Sequence, residues 1–207
     1  MTNYAQTERH ALADLFDKLG PDAPTLCGEW TTADLAAHLV VRERRPDGAV
    51  GILVPPLSAY AEKVRLGARN ANRWPDLVNK VRSGPPALLK RVDATVNTVE
   101  YLVHHEDVRR AGVGWEPRLL DPAEEAVLWS RLGLLGRVLL RGAPVGVTLV
   151  APGHGRATPK AGDVMVTVTG PPSELVLFAF GRQAHARVSL DGDEPAVERL
   201  RTASLGL

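Results

Sequence analysis

Disulfide chemistry is absent from this chain. Of its 207 residues one is a cysteine, Cys27, so no internal bridge can form and a reducing cytoplasm is the expected compartment. A surplus of one charge is missing too. The 25 Lys and Arg and the 24 Asp and Glu leave a formal net charge of +1, which gives no field to attract nucleic acid or an anionic membrane. Aromatics make up 5% of the chain and no basic stretch is interleaved with them. Long apolar runs are lacking: "AVGILV" (49–54) is among the longest, far short of the roughly 18 residues of a membrane span. The N-terminal "MTNYAQTERH" is polar, without the apolar core of a signal peptide. These absences predict a soluble cytoplasmic protein with neither nucleic-acid nor membrane partners. What is present is a 44% hydrophobic content, ample for a core, in a length that suits one large domain or two smaller ones.

The first two thirds of the chain read as helices. "YAQTERHALADLFDKL" (4–19) spaces Leu12, Leu15, Phe16 and Leu19 helically and stops at Gly20-Pro21. "TTADLAAHLVVRERR" (31–45) has threonines to cap its start and Asp34 in its first turn. Residues 57–71 and 75–83 read as shorter helical pieces, 87–111 as a long helix, and the segment from Pro122 to about Arg141 as another. Four substantial helices argue for a bundle over 1–142. From residue 143 the texture changes. "VGVTLVA" and "DVMVTVTG" alternate like strands, with turn-rich "PGHGRATPKAG" between them; "PSELVLFAFGR" reads as a helix, "ARVSLDGD" as a strand and turn, and "EPAVERLRTA" as a last helix. The expected fold class is α+β, a bundle over 1–142 followed by a small unit over 143–207.

A helix advances about 100° per residue, so the long helix can be projected. With Asp93 at zero, Asn97, Glu100, His104 and Asp107 fall within about 40° of it and form one polar stripe. Val92, Val96, Val99 and Val103 form the apolar stripe beside it. Thr98, His105 and Arg109 fall on the other side, the expected solvent face. His104, not His105, therefore shares a border with Glu100 one turn away, where both can reach a single metal ion. On the 31–45 helix, His38 sits in the middle of an apolar arc, with Arg42 and Arg45 following on nearly the same side. Each feature has an ordinary reading: a core histidine satisfied by one hydrogen bond, or an i,i+4 surface pair. A buried-face histidine on one helix and a Glu and His on another also match the way bundles build metal sites from facing helices.

"CGEWTTADLAAHL", followed about 60 residues later by "VEYLVHHEDVRRA", resembles the metal-binding bundle of the DinB-like superfamily. It is most similar to the N-terminal domain of the mycothiol-dependent maleylpyruvate isomerase family, and "HLVVRERRPD" resembles an actinobacterial branch of it. The resemblance implies that His38, Glu100 and His104 hold one divalent metal ion. It implies a sterol-carrier-like C-terminal domain in "FAFGRQ" and "VSLDGD", with Arg182 matching an arginine that faces the active cleft. It also implies mycothiol as cofactor, its thiolate adding to a small electrophilic substrate. The Pro-Gly usual before the tryptophan is Gly28-Glu29 here.

Two histidines and one carboxylate leave zinc an open position, as catalytic sites do. An ion of that kind lowers the pKa of a bound thiol or water. Asn97 and Asp107 share the stripe and either orient the ligands' free ring nitrogens or are plain polar surface. Arg42 and Arg45 either clamp a substrate carboxylate or, with Glu43 and Arg44, form a solvated helix end. Arg182 either binds substrate or is a helix-terminal charge. Cys27 is expected as a small buried hydrophobe. The function expected is a mycothiol-dependent isomerase or transferase. The alternative is a non-catalytic metal protein, structural or sensing. Zinc-dependent hydrolysis ranks lower because no dedicated general base stands out.

Overall fold

The computed structural model describes residues 3–45, 47, 57–86 and 90–206, with backbone only over 90–96. The run at 49–54, the expected helix start at 87–89 and the side chains of Val92, Asp93 and Val96 lie outside the described residues. The chain divides into two compact units, Met1–Trp115 and Glu116–Leu207.

The first unit is helical. Helix α1 (Tyr4–Leu19) begins where the Asn3 side chain accepts the Gln6 N–H at 3.2 Å. Helix α2 (Thr32–Arg44) begins where the Asp34 carboxylate accepts the Thr31 N–H at 3.1 Å and its hydroxyl at 2.9 Å, the reach-back half of a capping box. The same carboxylate receives Arg65 and, at 2.9 Å, Arg69 from α3 (Ser58–Asn70), so one cap residue also joins two helices. Helix α4 (Trp74–Ser83) carries Pro75 in its first turn, where a missing N–H costs nothing. Helix α5 (Lys90–Arg109) packs along α1, while α2 packs against α3 and α4. Leu12, Phe16, Leu35, Leu39, Leu77, Val81, Tyr101 and Val108 meet in the core between them.

The second unit opens with α6 (Pro122–Leu139), capped by Asp121, which accepts the Ala123 N–H at 2.8 Å. Strands β1 (Gly146–Ala151), β2 (Gly155–Lys160), β3 (Met165–Thr169) and β4 (Ser189–Asp191) form a mixed sheet in the order β2-β1-β3-β4. The β1–β3 pair is parallel and the other two are antiparallel. The chain leaving β2 must therefore cross the start of β1, and it does so where Gly162 passes Gly146. A Cβ on Gly146 would stand 2.7 Å from the Gly162 nitrogen, so a side chain fits at neither. Helix α7 (Pro172–Ala179) is buried along its whole length, which explains its nearly uninterrupted apolar sequence. Helix α8 (Glu194–Arg201) closes the fold.

The chain is thus α+β, a helical region followed by a mixed four-stranded sheet with helices. Three details differ from expectation. Strand β2 occupies the segment read as turns. It is an exposed edge strand containing Pro159, so it has no hydrophobic alternation to display, and proline is tolerated at an edge. The helix read over 172–182 stops at Ala179. The division falls at 115/116, whereas the expected boundary is 142/143, because α6 packs on α7 and β2. Among the described residues no helix is long and apolar enough to cross a membrane.

Candidate metal centre

Helix α5 has no solvent face over 97–108, where every side chain is buried or half-buried. Its polar residues therefore need partners inside the protein, and those of the polar stripe find them. Glu100 Oε1 lies 3.6 Å from His38 Nε2 and 3.2 Å from His104 Nε2. The two rings stand edge to face with centroids 5.4 Å apart. His38 is held from behind by the Trp30 ring at 5.2 Å. His38 and His104 side chains are each 11% exposed and Glu100 is 21% exposed, enclosed but reachable. Among the described residues, the donor atoms of His38, Glu100 and His104 form one of two groups close enough together to hold a metal ion; Cys27, His104 and Asp107 form the other.

Two of the three edges of the first group match a tetrahedral ion. Nitrogen and oxygen ligands at about 2.0–2.1 Å from zinc stand about 3.3–3.4 Å from each other, and the two His–Glu distances of 3.2 and 3.6 Å bracket that spacing. Burial and the charges of His104 and Arg42 lower the pKa of His38, although Glu100 opposes them. A neutral imidazole, the form a metal needs, is therefore favoured. Burial alone would lower the pKa of His104, but hydrogen bonds to Asp107, Cys27 and Glu100 hold it well above the ordinary histidine range. Burial alone would raise the pKa of Glu100, but the two histidines and the Arg42 charge hold it well below the usual carboxylate range. Without an ion, a proton on His104 thus holds the cluster together.

The residues expected around the ligands are also placed. Asp107 Oδ2 accepts from His104 Nδ1 at 2.9 Å, fixing the ring so that Nε2 faces Glu100. Arg42 turns inward: its Nε is 3.2 Å from Glu100 Oε1, and its Nη1 donates to Asn97 Oδ1. Asn97 Nδ2 donates to Glu43 Oε1 at 3.2 Å, and the fully buried Arg9 donates to the same oxygen at 2.5 Å. A polar chain Arg9–Glu43–Asn97–Arg42–Glu100 therefore runs through the helical core. Arg182 lies in the second unit, where Nη1 donates to the Phe180 carbonyl at 2.5 Å.

Several expectations are corrected here. His105 does not face solvent. It is 6% exposed, with Nδ1 2.8 Å from Glu8 Oε2, because α1 covers that side of α5. Glu43 is no solvated helix end but a buried counter-ion to Arg9. Arg44 donates to the Gly84 carbonyl at 2.6 Å and ties α2 to the end of α4. Arg45 is exposed and paired with Asp47 at 2.7 Å, away from the cluster. Cys27 is half-buried, and its sulfur is a polar neighbour of the cluster, 3.1 Å from Asp107 Oδ2 and 3.7 Å from His104 Nδ1. No local sequence signal shows this placement, because it depends on how the loop before α2 lies on α5.

Comparison with curated proteins finds no match. The fold is similar to the crystal structure of the mycothiol-dependent maleylpyruvate isomerase, with a TM-score of 0.60 at 15% identity, covering 93% of this chain and 92% of that one. The mycothiol maleylpyruvate isomerase N-terminal domain family matches residues 5–133; with His38, Glu100 and His104 all inside that span, the chain belongs to this family.

Proposed function

We propose that the chain binds one divalent metal ion, best zinc, through His38, Glu100 and His104. In this reading it uses a small thiol, mycothiol, to isomerise or transfer a group onto a small electrophilic substrate. The observation that carries the reading is the convergence of two imidazole nitrogens on one carboxylate oxygen, at 3.6 and 3.2 Å, among side chains that are enclosed but partly exposed. A zinc ion with three protein ligands supplies Lewis acidity at its open position and lowers the pKa of a thiol bound there. The chain's own residues do the rest. Asp107 keeps the His104 ring turned, and Arg42, already pointed at the cluster by Asn97, offers a guanidinium to a substrate carboxylate. Family membership and the likeness to a mycothiol-dependent isomerase support the thiol.

The competing reading is a non-catalytic metal protein. It is favoured by the extent to which Arg42 is already engaged with Glu100 and Asn97. Calorimetric titration with mycothiol separates the two. The enzyme reading expects binding to the zinc-loaded protein, none to the metal-free protein, and none to zinc-treated His38→Ala or His104→Ala protein. Equal binding to both forms, or to neither, puts the non-catalytic reading ahead. Retention of a full equivalent of zinc by both variants removes the metal assignment itself.

A further inference from the structure

We propose that Cys27, His104 and Asp107 form a second metal position, for a thiophilic ion, which is an alternative to the His38–Glu100–His104 position and not an addition to it. The two donor sets lie on opposite nitrogens of one ring. His104 presents Nε2 to Glu100 and His38, and Nδ1 to Asp107 and Cys27. The Cys27 sulfur is 3.7 Å from Nδ1, close to the roughly 3.5–3.6 Å between a sulfur at about 2.3 Å and a nitrogen at about 2.0–2.1 Å on a tetrahedral ion. Asp107 Oδ2 stands at hydrogen-bond distance from both, 2.9 and 3.1 Å. A retreat of roughly half an ångström would bring it to ligand spacing.

The sulfur is held in place by its loop. The Leu26 N–H donates to the Asp107 carbonyl at 3.0 Å, which ties the loop to the helix that carries the other two donors. The Cys27 N–H donates to Thr25 Oγ1 at 3.1 Å, and that hydroxyl donates to the Trp30 carbonyl at 2.8 Å.

The exclusivity follows from the ring. A neutral imidazole has one lone pair. With an ion on Nε2, the proton sits on Nδ1 and is donated to Asp107. With an ion on Nδ1, the thiol proton and the Nδ1 proton leave to solvent, and Nε2 keeps its proton facing Glu100. Ligand softness then sorts the ions: the imidazole–carboxylate set suits zinc, and the thiolate draws softer ions. A soft ion at Cys27 takes His104 away from the zinc position, so the cluster senses such ions at the expense of its own metal.

The test is a titration of the metal-free full-length chain with cadmium chloride, following thiolate-to-cadmium charge transfer in the ultraviolet. The wild type should develop the band with saturation at one equivalent, and cadmium added to the zinc-loaded chain should release the zinc. Cys27→Ser should lose the band yet bind zinc as the wild type does, which also reports that it is folded. His38→Ala should keep the band while its zinc affinity falls at least about tenfold. A wild type without the band, a band surviving in Cys27→Ser or lost in His38→Ala, or zinc and cadmium held together on one chain overturns the proposal. Undiminished zinc binding by His38→Ala with a normal band counts instead against the zinc position and leaves the cadmium position standing.

Discussion

Asp107 serves two neighbours with one oxygen: Oδ2 accepts from His104 Nδ1 at 2.9 Å and from Cys27 Sγ at 3.1 Å. A carboxylate behind a ligating imidazole fixes its tautomer, and losing it costs about 10–100-fold in metal affinity. Asp107→Ala should therefore weaken zinc by that factor without touching a ligand, as read by competition with a chromophoric chelator. Unchanged affinity would mean that the Nδ1 partner is irrelevant. His105 gives the opposite pattern. Its removal takes from Glu8, 2% exposed, one of its hydrogen bonds, and a lost intramolecular hydrogen bond costs about 0.5–1.5 kcal/mol. His105→Ala should lower the urea midpoint accordingly and leave zinc stoichiometry intact. A variant as stable as the wild type would mean that water or another group replaces the imidazole.

At the scale of elements, α2 shows how one residue ties a cap to a packing joint. Asp34 takes the Thr31 donors at the helix start and the Arg65 and Arg69 guanidinium groups from α3. Burial would raise its pKa, but Arg65 and Thr31 outweigh burial and hold it below the ordinary value. A carboxyl depressed in the folded state contributes stability above its unfolded pKa of about 3.9, and that stability is lost as pH falls through the folded value. Arg65 keeps Glu62 at 2.6 Å and an asparagine oxygen can still accept the Thr31 donors, so Asp34→Asn removes only the charge facing Arg65 and Arg69 and should cost about 1.5–3 kcal/mol at pH 7, the worth of a hydrogen bond to a charged group. The gap between variant and wild type should close below about pH 4. Urea unfolding at both pH values measures this, and a gap that persists in acid would assign the effect to packing.

The same elements show what the sequence could reveal. The stripe on α5 needs only helical spacing, and it places Asn97, Glu100 and His104 on the side where they meet α2 and Asp107 where it meets the loop before α2. The face of His105 is misread from spacing because its partner Glu8 is 97 residues away; a buried polar pair spells the same letters as a solvated one. Strand β2 was invisible for a related reason. Its order comes from pairing with β1, and an exposed edge leaves no apolar imprint.

Taken as a whole, the helical unit pairs its interior polar groups: Arg9 with Glu43, His105 with Glu8, Glu106 with Arg110, and Glu100 and Asp107 about His104. Zinc joining this balance should stabilise by mass action, about 2.7 kcal/mol at a free concentration one hundred times the dissociation constant. The charge balance also bears on the order of events in the life of the chain. In the proposed metal reading, the proton that Asp107 and Glu100 favour on His104 holds the place of the ion, so the helices can assemble first and be loaded later. Metal binding in that reading is an exchange that releases a proton from a finished structure, unlike that of small domains which stay unfolded without their ion. Diluting the urea-unfolded chain into buffer with excess chelator should restore the full helical circular dichroism, and zinc given afterwards should bind at one equivalent. A chain that regains its helices only when zinc is present during folding would reverse that order, and a cell short of zinc would then accumulate unfolded protein in place of a folded reserve waiting to be charged.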